Sequence, residues 1–394
     1  MSTIDRGTET WPSRTPRDTG PEASTSPPVK VWAGVGVLVL CFIAFVFIRW
    51  ITGPFFETVP SGPSEPPGWM KVGLVAMQVV VPAAALVILY RFAYRPWRCN
   101  GRLSPDGILV LSFATLFFWD ALSGYGGHWF TYNSWLVNLG SWANAVPGYL
   151  GFGLPGQQQA YPLLLIPGAY VCIFTITAFL GTWVMRTAKR RWPRLRPIGL
   201  MAVCYPVMVG FDIIFEGVVF LPLGAWSYPG GLLNLFAGTY HQYPINEALT
   251  TAALFTGWAC LRYFVNDKGE TVAERGVSEL RARRGSKGLT LLRFLACVGM
   301  VHTIFFVTYN LPNTWVGMHS TSWPQDVQER SYLTDHICGR DVDRACPGPD
   351  VPLVRNDNAA TGAGSAYLSG TNELVVPPNT HPVPLSPTGA EHIP

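Results

Sequence analysis

Long apolar stretches, poor in charge and separated by polar segments, dominate the middle of the chain. Seven can be marked out: Val31 to Ile48, Val72 to Tyr90, Ile108 to Leu122, Leu163 to Val184, Ile198 to Val219, Ile245 to Phe264 and Leu289 to Val307. A helix needs about 20 mostly apolar residues to cross the hydrocarbon core. The pattern therefore predicts an all-α fold, a polytopic transmembrane helix bundle of about seven spans, the third being the shortest. The first run follows some thirty polar, Pro/Ser/Thr-rich residues and has no small-residue cleavage site after it. It reads as a retained span, with a cleaved signal peptide as the alternative.

Lys and Arg set the orientation, because cytoplasmic loops carry their excess. The second loop holds Arg91, Arg95, Arg98 and Arg102, and the fourth holds Arg186, Lys189, Arg190, Arg191, Arg194 and Arg196. The sixth carries eight basic residues from Arg262 to Arg293. The third loop (123–162) and the fifth (220–244) contain no Lys or Arg. The expected topology is N-terminus in and C-terminus out, in the cell membrane. Residues 1–30 form a disordered cytoplasmic segment, 31–310 the bundle, and 311–394 an extracytoplasmic tail. Both ends are rich in Pro, Ser, Thr and Gly, and the tail after about 356 cannot bury enough surface to offset its ordering entropy. In the sixth loop Val272, Val277 and Leu280 stand at near-helical spacing, which predicts a short interfacial helix.

Composition agrees with this pattern. Only 13% of the 394 residues are charged, whereas soluble domains carry roughly 25%, and the mean hydropathy is +0.23. The net charge of +4 is a topology signal, and no loop interleaves basic and aromatic residues as a nucleic-acid surface does. The expected partners are the lipid bilayer and a lipophilic small molecule, with no nucleic acid; no protein partner can be read. Cys338 and Cys346, in the tail assigned outside, are a candidate disulfide because such bonds persist in oxidising compartments. Cys41, Cys172, Cys204, Cys260 and Cys297 sit in apolar runs as small hydrophobes.

Ionisable residues within spans are costly, roughly 2.5–3.5 kcal/mol each on insertion scales, and tend to mark function. Here they gather at the outer ends. Asp120 closes the third span, Asp212 and Glu216 lie in the outer half of the fifth, Glu247 opens the sixth, and His302 stands near the outer end of the seventh. Asp212 and Glu216, four apart, share one face of a regular helix. The loops on this side are unusually aromatic: His128, Trp129, Tyr132, Asn133, Asn138, Trp142 and Asn144 in one, Trp226, Tyr228 and His241 in the other. Such groups, with His302, would line a pocket for an apolar substrate. Taken singly, the rings also fit an interfacial aromatic belt, and His302 a satisfied core histidine.

Carboxyl groups crowded into a dry site set an acid beside a base. Asp120, Asp212, Glu216 and Glu247 are thus the candidate catalytic residues of an acid–base enzyme acting on a lipophilic substrate, with cyclisation or dehydration as the fitting reactions and no metal or cofactor expected. The same carboxylates and His302 would also suit a hard divalent cation. A proton relay in a lipid carrier or small-molecule transporter is the other reading, although no inverted repeat is visible.

Several segments carry a family resemblance: Trp119-Asp120, Trp129 to Ser134, Asn138 to Asn144, Pro147-Gly148, Asp212 to Glu216, Gly224 to Tyr228, and Tyr243 to Glu247 leading to Leu261-Arg262-Tyr263. Over roughly residues 30 to 315 the chain resembles the spirocyclase AveC family, whose namesake acts in macrolide polyketide biosynthesis in actinobacteria. The resemblance implies spiroketal closure of a dihydroxy ketone and an accompanying dehydration, with Asp120, Asp212, Glu216 and Glu247 as the positions to which roles transfer. The tail after about Trp323 departs from that family's core.

Overall fold

The computed structural model describes residues 27–127, 129–147, 159–280, 286–319, 322–335, 338–339, 346, 367–368 and 374–375. The disorder expected of the N-terminal segment and of the tail beyond about 356 concerns residues almost wholly outside that set, as does the role expected of His128.

The chain is mainly helical. Its principal helices are α1 (Pro28–Ile51), α2 (Gly68–Leu89), α3 (Pro105–Phe113), α4 (Phe118–Gly127), α5 (Ile166–Arg191), α6 (Pro197–Asp212), α7 (Ile245–Tyr263), α8 (Ser286–Phe305) and α9 (Leu311–Met318). Among the described residues six helical runs are long and apolar enough to cross a membrane: Pro28–Ile51, Gly68–Asn100, Pro105–Gly124, Ile166–Arg191, Pro197–Leu223 and Lys287–Gly317. The expected sixth span, α7, is a helix of 19 residues but falls outside this group. It packs against both α5 and α6 and buries Ala248, Ala252, Phe255, Trp258 and Ala259. A helix lined by protein can carry Asn246, Glu247, Thr250, Thr251 and Thr256 where a lipid-facing one cannot. By contrast, Val72, Val79, Val80, Leu86 and Val87 on α2 are exposed, as suits lipid contact.

Helix starts follow the sequence. Ser104 caps α3 by accepting from the Gly107 amide at 3.0 Å, with Pro105 in the first turn. Gly101 ends the helical run before it in the left-handed region (φ 65°). Among the described residues, π-helical segments interrupt the long helices at Tyr90–Tyr94, Ile213–Phe220 and Phe306–Asn310. The last long helical run continues from α8 through the π-helical segment into α9, which ends at Met318.

Helices α1 and α8 cross so closely that a Cβ on Gly36 would lie 2.0 Å from the Leu295 carbonyl oxygen, and one on Gly299 would lie 2.2 Å from that of Trp32. Small residues that let two backbones touch are a standard means of packing helices in lipid, where apolar side chains gain little by leaving the hydrocarbon. At the bundle's basic end, Arg262 grips Asp106 with two bonds of 2.9 and 3.1 Å and lies 3.7 Å over the Phe179 ring, tying α3, α5 and α7 together.

The interfacial helix expected in the sixth loop does not form among the described residues. Gly269 and Gly276 take positive φ, and the Glu270 carboxylate accepts from the Ser278 amide at 2.8 Å and from Asn266 at 2.9 Å. The result is a capped turn with one 3-10 turn at Ser278–Leu280. Burial alone would raise the Glu270 carboxyl, but bonds from Ser278, Asn266 and Gly276 hold it down at about 2.

At the other end the two aromatic loops pair. Strand β1 (Thr131–Tyr132) runs antiparallel to β2 (Trp226–Ser227), and β3 (Asn234–Leu235) to β4 (Tyr243–Pro244). The segment after α9 folds back over them. Ser331 bonds Ser61 and Ser64, the Tyr332 carbonyl accepts from the Ser134 amide at 2.8 Å, and Asp326 accepts from the Tyr240 amide at 2.7 Å. Cys338 and Cys346 are joined by a disulfide.

The crossing yields a direct test. Gly299→Leu should lower stability by at least about 1–3 kcal/mol, the usual range for overpacking, because backbone blocks the new side chain. Thermal unfolding in detergent should show it, whereas Gly34→Leu, at an open position on α1, should leave the transition in place.

Candidate functional site

The four expected carboxylates come from three parts of the fold. Asp120 lies in the first turn of α4, Asp212 ends α6, Glu216 sits in the π-helical segment that continues it, and Glu247 lies in the first turn of α7. All four line one cavity of about 110 Å³. Its remaining walls are largely apolar or aromatic, with Ile166, Ile173, Phe174, Phe215, Leu254, Phe255 and Phe305 among them.

Hydroxyl and N–H donors surround the carboxyl groups, and among the described residues no Lys or Arg lines the cavity. Asp120 accepts from Tyr132 through Oδ2 and from Tyr170 through Oδ1. Asp212 accepts from Tyr243 through Oδ2. Glu216 accepts through Oε1 from the Trp226 indole at 2.9 Å and from Tyr228 at 2.5 Å. Glu247 accepts through Oε2 from the Trp129 indole at 2.9 Å and from the Asn313 amide at 3.1 Å. Its Oε1 lies 2.8 Å from Thr251 and 3.2 Å from Tyr228, and Tyr309 bonds the same carboxyl.

These bonds divide the four groups. Asp120 and Glu247 have both oxygens engaged. Asp212 and Glu216 both line the cavity, and among the described residues Asp212 Oδ1 and Glu216 Oε2 have no hydrogen-bond partner. Tyr228 adds a constraint. Its single O–H points at one acceptor, yet its oxygen is within bonding distance of Glu216 and Glu247. Both contacts are favourable only when one carboxyl brings a proton of its own. Trp129 and Asn313 can only donate to Glu247 Oε2, so a proton on Glu247 would sit on Oε1, facing Tyr228. Burial, then the charges of the neighbouring carboxylates, push the Tyr132 and Tyr228 phenols well above their ordinary range, which keeps both as donors.

The expected i, i+4 helix face of Asp212 and Glu216 needs correction. The backbone from Ile213 is π-helical, with bonds running i to i+5, yet both groups still reach the cavity. Gly217 makes room for Tyr243, whose ring atoms would lie 3.0 Å from any Cβ there. That approach lets Tyr243 reach Asp212.

The residues expected to contact substrate separate into two groups. Tyr132, Trp226 and Tyr228 line the cavity, and Trp129 stands behind it holding Glu247. The other described residues of that set are not in its lining. Asn133 is buried, its amide on the Gly224 carbonyl at 2.8 Å, where it ties the two loops together. Asn138 accepts from the Val59 amide and donates to the Ser134 and Leu136 carbonyls, which shapes its own turn. Trp142 is buried among Phe47, Phe117 and Tyr161, its indole on the Phe118 carbonyl at 2.9 Å. Asn144 is half-buried on the 3-10 turn Ala143–Ala145, and His241 is packed against Phe236 and Tyr240.

His302 is structural as well. The Trp119 indole can only donate, so His302 Nδ1 accepts it at 2.7 Å. The ring is thereby a neutral Nε2–H tautomer donating to Thr115, at 2.8 Å, which in turn donates to the Ser112 carbonyl. This chain pins the break between α3 and α4 to α8 and aims Asp120 inward. Among the described residues no three His, Cys, Asp or Glu are grouped so as to hold a metal ion.

Tyr170, Thr251 and Asn313 complete the site without having been singled out in sequence, together with Tyr243 of the aromatic loop and Tyr309 beyond His302. Thr251 carried a signal, standing one helical turn from Glu247. Tyr170 and Tyr309, near span ends, are indistinguishable in sequence from an aromatic belt, and the bond of Asn313 to Glu247 depends on tertiary packing alone.

No curated protein and no solved structure matches the chain significantly. A family model described as Spirocyclase AveC-like matches residues 100–333. That span includes all four carboxylates and the segment folded over the loops, and leaves out α1 and α2. On this match, which covers more than half of its length, the chain belongs to the AveC-like spirocyclase family.

Proposed function

We propose that this protein is a multi-pass enzyme of the cell membrane that closes a lipophilic dihydroxy ketone to a spiroketal by acid–base catalysis, with related loss of water from polyketide- or lipid-like substrates. The supporting observation is four carboxyl groups around one largely apolar cavity with no Lys or Arg in its described lining, two of them having an oxygen without a hydrogen-bond partner among the described residues. Like charges at this density cannot all be ionised in a dry site, so the set holds protons and acceptors together.

Asp212 and Glu216 are assigned the proton transfers. One, as the acid, protonates the ketone oxygen while the other, as carboxylate, takes the proton of the attacking hydroxyl, giving a hemiketal. The acid–base pair then works on that intermediate: the hemiketal hydroxyl is protonated, its C–O bond breaks and water leaves. The second hydroxyl adds to the resulting oxocarbenium carbon and gives its proton to a carboxylate. One water is lost overall, and the protein's proton count returns to its start. Tyr170 and Tyr132 hold Asp120 as a fixed negative neighbour for the cationic carbon. Tyr228 links Glu216 to Glu247, which serves as a proton reserve.

Ligand sites for drug-sized molecules are usually about 300–1,000 Å³, so 110 Å³ suits the reacting rings, with the remaining chain extending out of the cavity. By the positive-inside rule this end faces away from the cytoplasm, in accord with the disulfide in the adjoining tail.

Asp212→Asn and Glu216→Gln should each lower turnover of a ketodiol by 10²-fold or more, the usual scale of general acid–base catalysis, with the protein still present in membranes. Product one water lighter, read by mass spectrometry, is the assay. Unchanged turnover in both variants would reject the assignment. Movement of substrate across liposomes with its mass unaltered would favour the carrier reading instead.

Glu247→Gln should act differently. Its carbonyl can still accept from Trp129 and Asn313 while its amide donates to Tyr228, so the fold should persist and turnover should fall less than in Glu216→Gln. Glu247→Leu strands those buried donors at about 1–3 kcal/mol each, and thermal unfolding in detergent should register the loss.

A further inference from the structure

A second cavity, of about 320 Å³, lies at the basic end of the bundle, between the end of the helical run after α2, the start of α3 and the start of α8. Its rim carries Arg102 and Lys287, and its floor is apolar, with Leu103, Leu291 and Phe294 beside the exposed ring of Trp97. We infer that this cavity binds an anionic phospholipid, the headgroup phosphate between Arg102 and Lys287 and an acyl chain along Leu291 and Phe294.

The charge arrangement carries the argument. The neighbouring carboxylate, Asp106, is already gripped by both arms of Arg262. Among the described residues no acid forms an ion pair with Arg102 or Lys287. Two cations thus line one cavity with no acid paired to either among the described residues. The α3 and α8 helices both begin here, and their N-terminal partial positive charge adds to the same field. A free phosphate would satisfy the cations but leave the apolar floor wet. A phospholipid fits both halves. Cavities of this kind between helices, basic at the interface and apolar below, are where anionic headgroups lodge. Trp97 stands where an interfacial ring packs against the headgroup region. The cavity is remote in sequence and lining from the carboxylate site, so its occupancy is independent of the proposed reaction.

The full-length protein in mixed phosphatidylglycerol–phosphatidylcholine nanodiscs, released for native mass spectrometry, should retain phosphatidylglycerol preferentially. A cation near an anionic surface is worth roughly fivefold in binding, so Arg102→Gln with Lys287→Gln should weaken retention on the order of twentyfold. Arg102→Lys with Lys287→Arg should keep it, and unfolding curves of both variants should match the parent's, since both side chains are exposed. Equal retention of the two lipids by the parent, or undiminished retention by the double Gln variant, would overturn the proposal. So would displacement of the lipid by inorganic phosphate at concentrations equal to those of a short-chain phosphatidylglycerol, because the apolar floor would then contribute nothing.

Discussion

Four buried carboxyl groups around one largely apolar cavity, with no Lys or Arg in its described lining, impose the constraint on which the rest of this structure depends. An unpaired buried carboxylate costs several kcal/mol, and a lone Lys or Arg beside it would offset the charge only by quenching its reactivity. The protein takes a third course and solvates each group with neutral donors. Phenols serve Asp120, Asp212 and Glu216, indoles serve Glu216 and Glu247, and Asn313 and Thr251 complete Glu247. Neutral donors stabilise a negative charge without pairing it off, so the proton count of the cluster stays adjustable.

That requirement explains the aromatic loops. The helices supply the carboxyl groups, but Tyr132, Trp129, Trp226, Tyr228 and Tyr243 come from connecting segments and must be brought down onto the bundle. The pairing of β1 with β2 does so, helped by Asn133 bridging to Gly224 and by the segment at 322–335 bonded across both loops. Backbone groups in these loops are thereby satisfied by one another, as irregular chain near a membrane must be. The close crossing of α1 and α8, in turn, fixes the helix that carries His302, and through Trp119 and Thr115 the angle at which α4 presents Asp120.

Much of this was legible in the sequence, and for physical reasons. Span length is set by bilayer thickness, and ionisable residues within spans are too costly to be accidental, so the bundle and its four carboxylates could be read directly. The distinction between rings that line the cavity and rings that support it could not. Trp142 and Trp226 are alike in sequence, each an aromatic in an uncharged outer loop. One is buried in a knot of Phe47, Phe117 and Tyr161, and the other donates to Glu216. Asn138 and Asn133 misled for a related reason, since a side chain that mimics backbone in a tight turn has the same letter as one that greets a ligand. The less apolar α7 shows the limit of hydropathy itself, which reports what a helix faces and not whether it belongs to the bundle.

The π-helical stretch at Ile213–Phe220 is the part that no reading of periodicity supplies, and it bears on function. In a regular helix Asp212 and Glu216 would be bonded turn on turn and present the same set of neighbours. Here the backbone between them is widened, so Asp212 meets Tyr243 from β4 while Glu216 meets Trp226 and Tyr228 from the β2 loop. Two like groups four residues apart thus acquire different partners. An acid and a base must differ in environment to hold their roles, and it is this local departure from the α-helix that makes the two carboxyls chemically distinct.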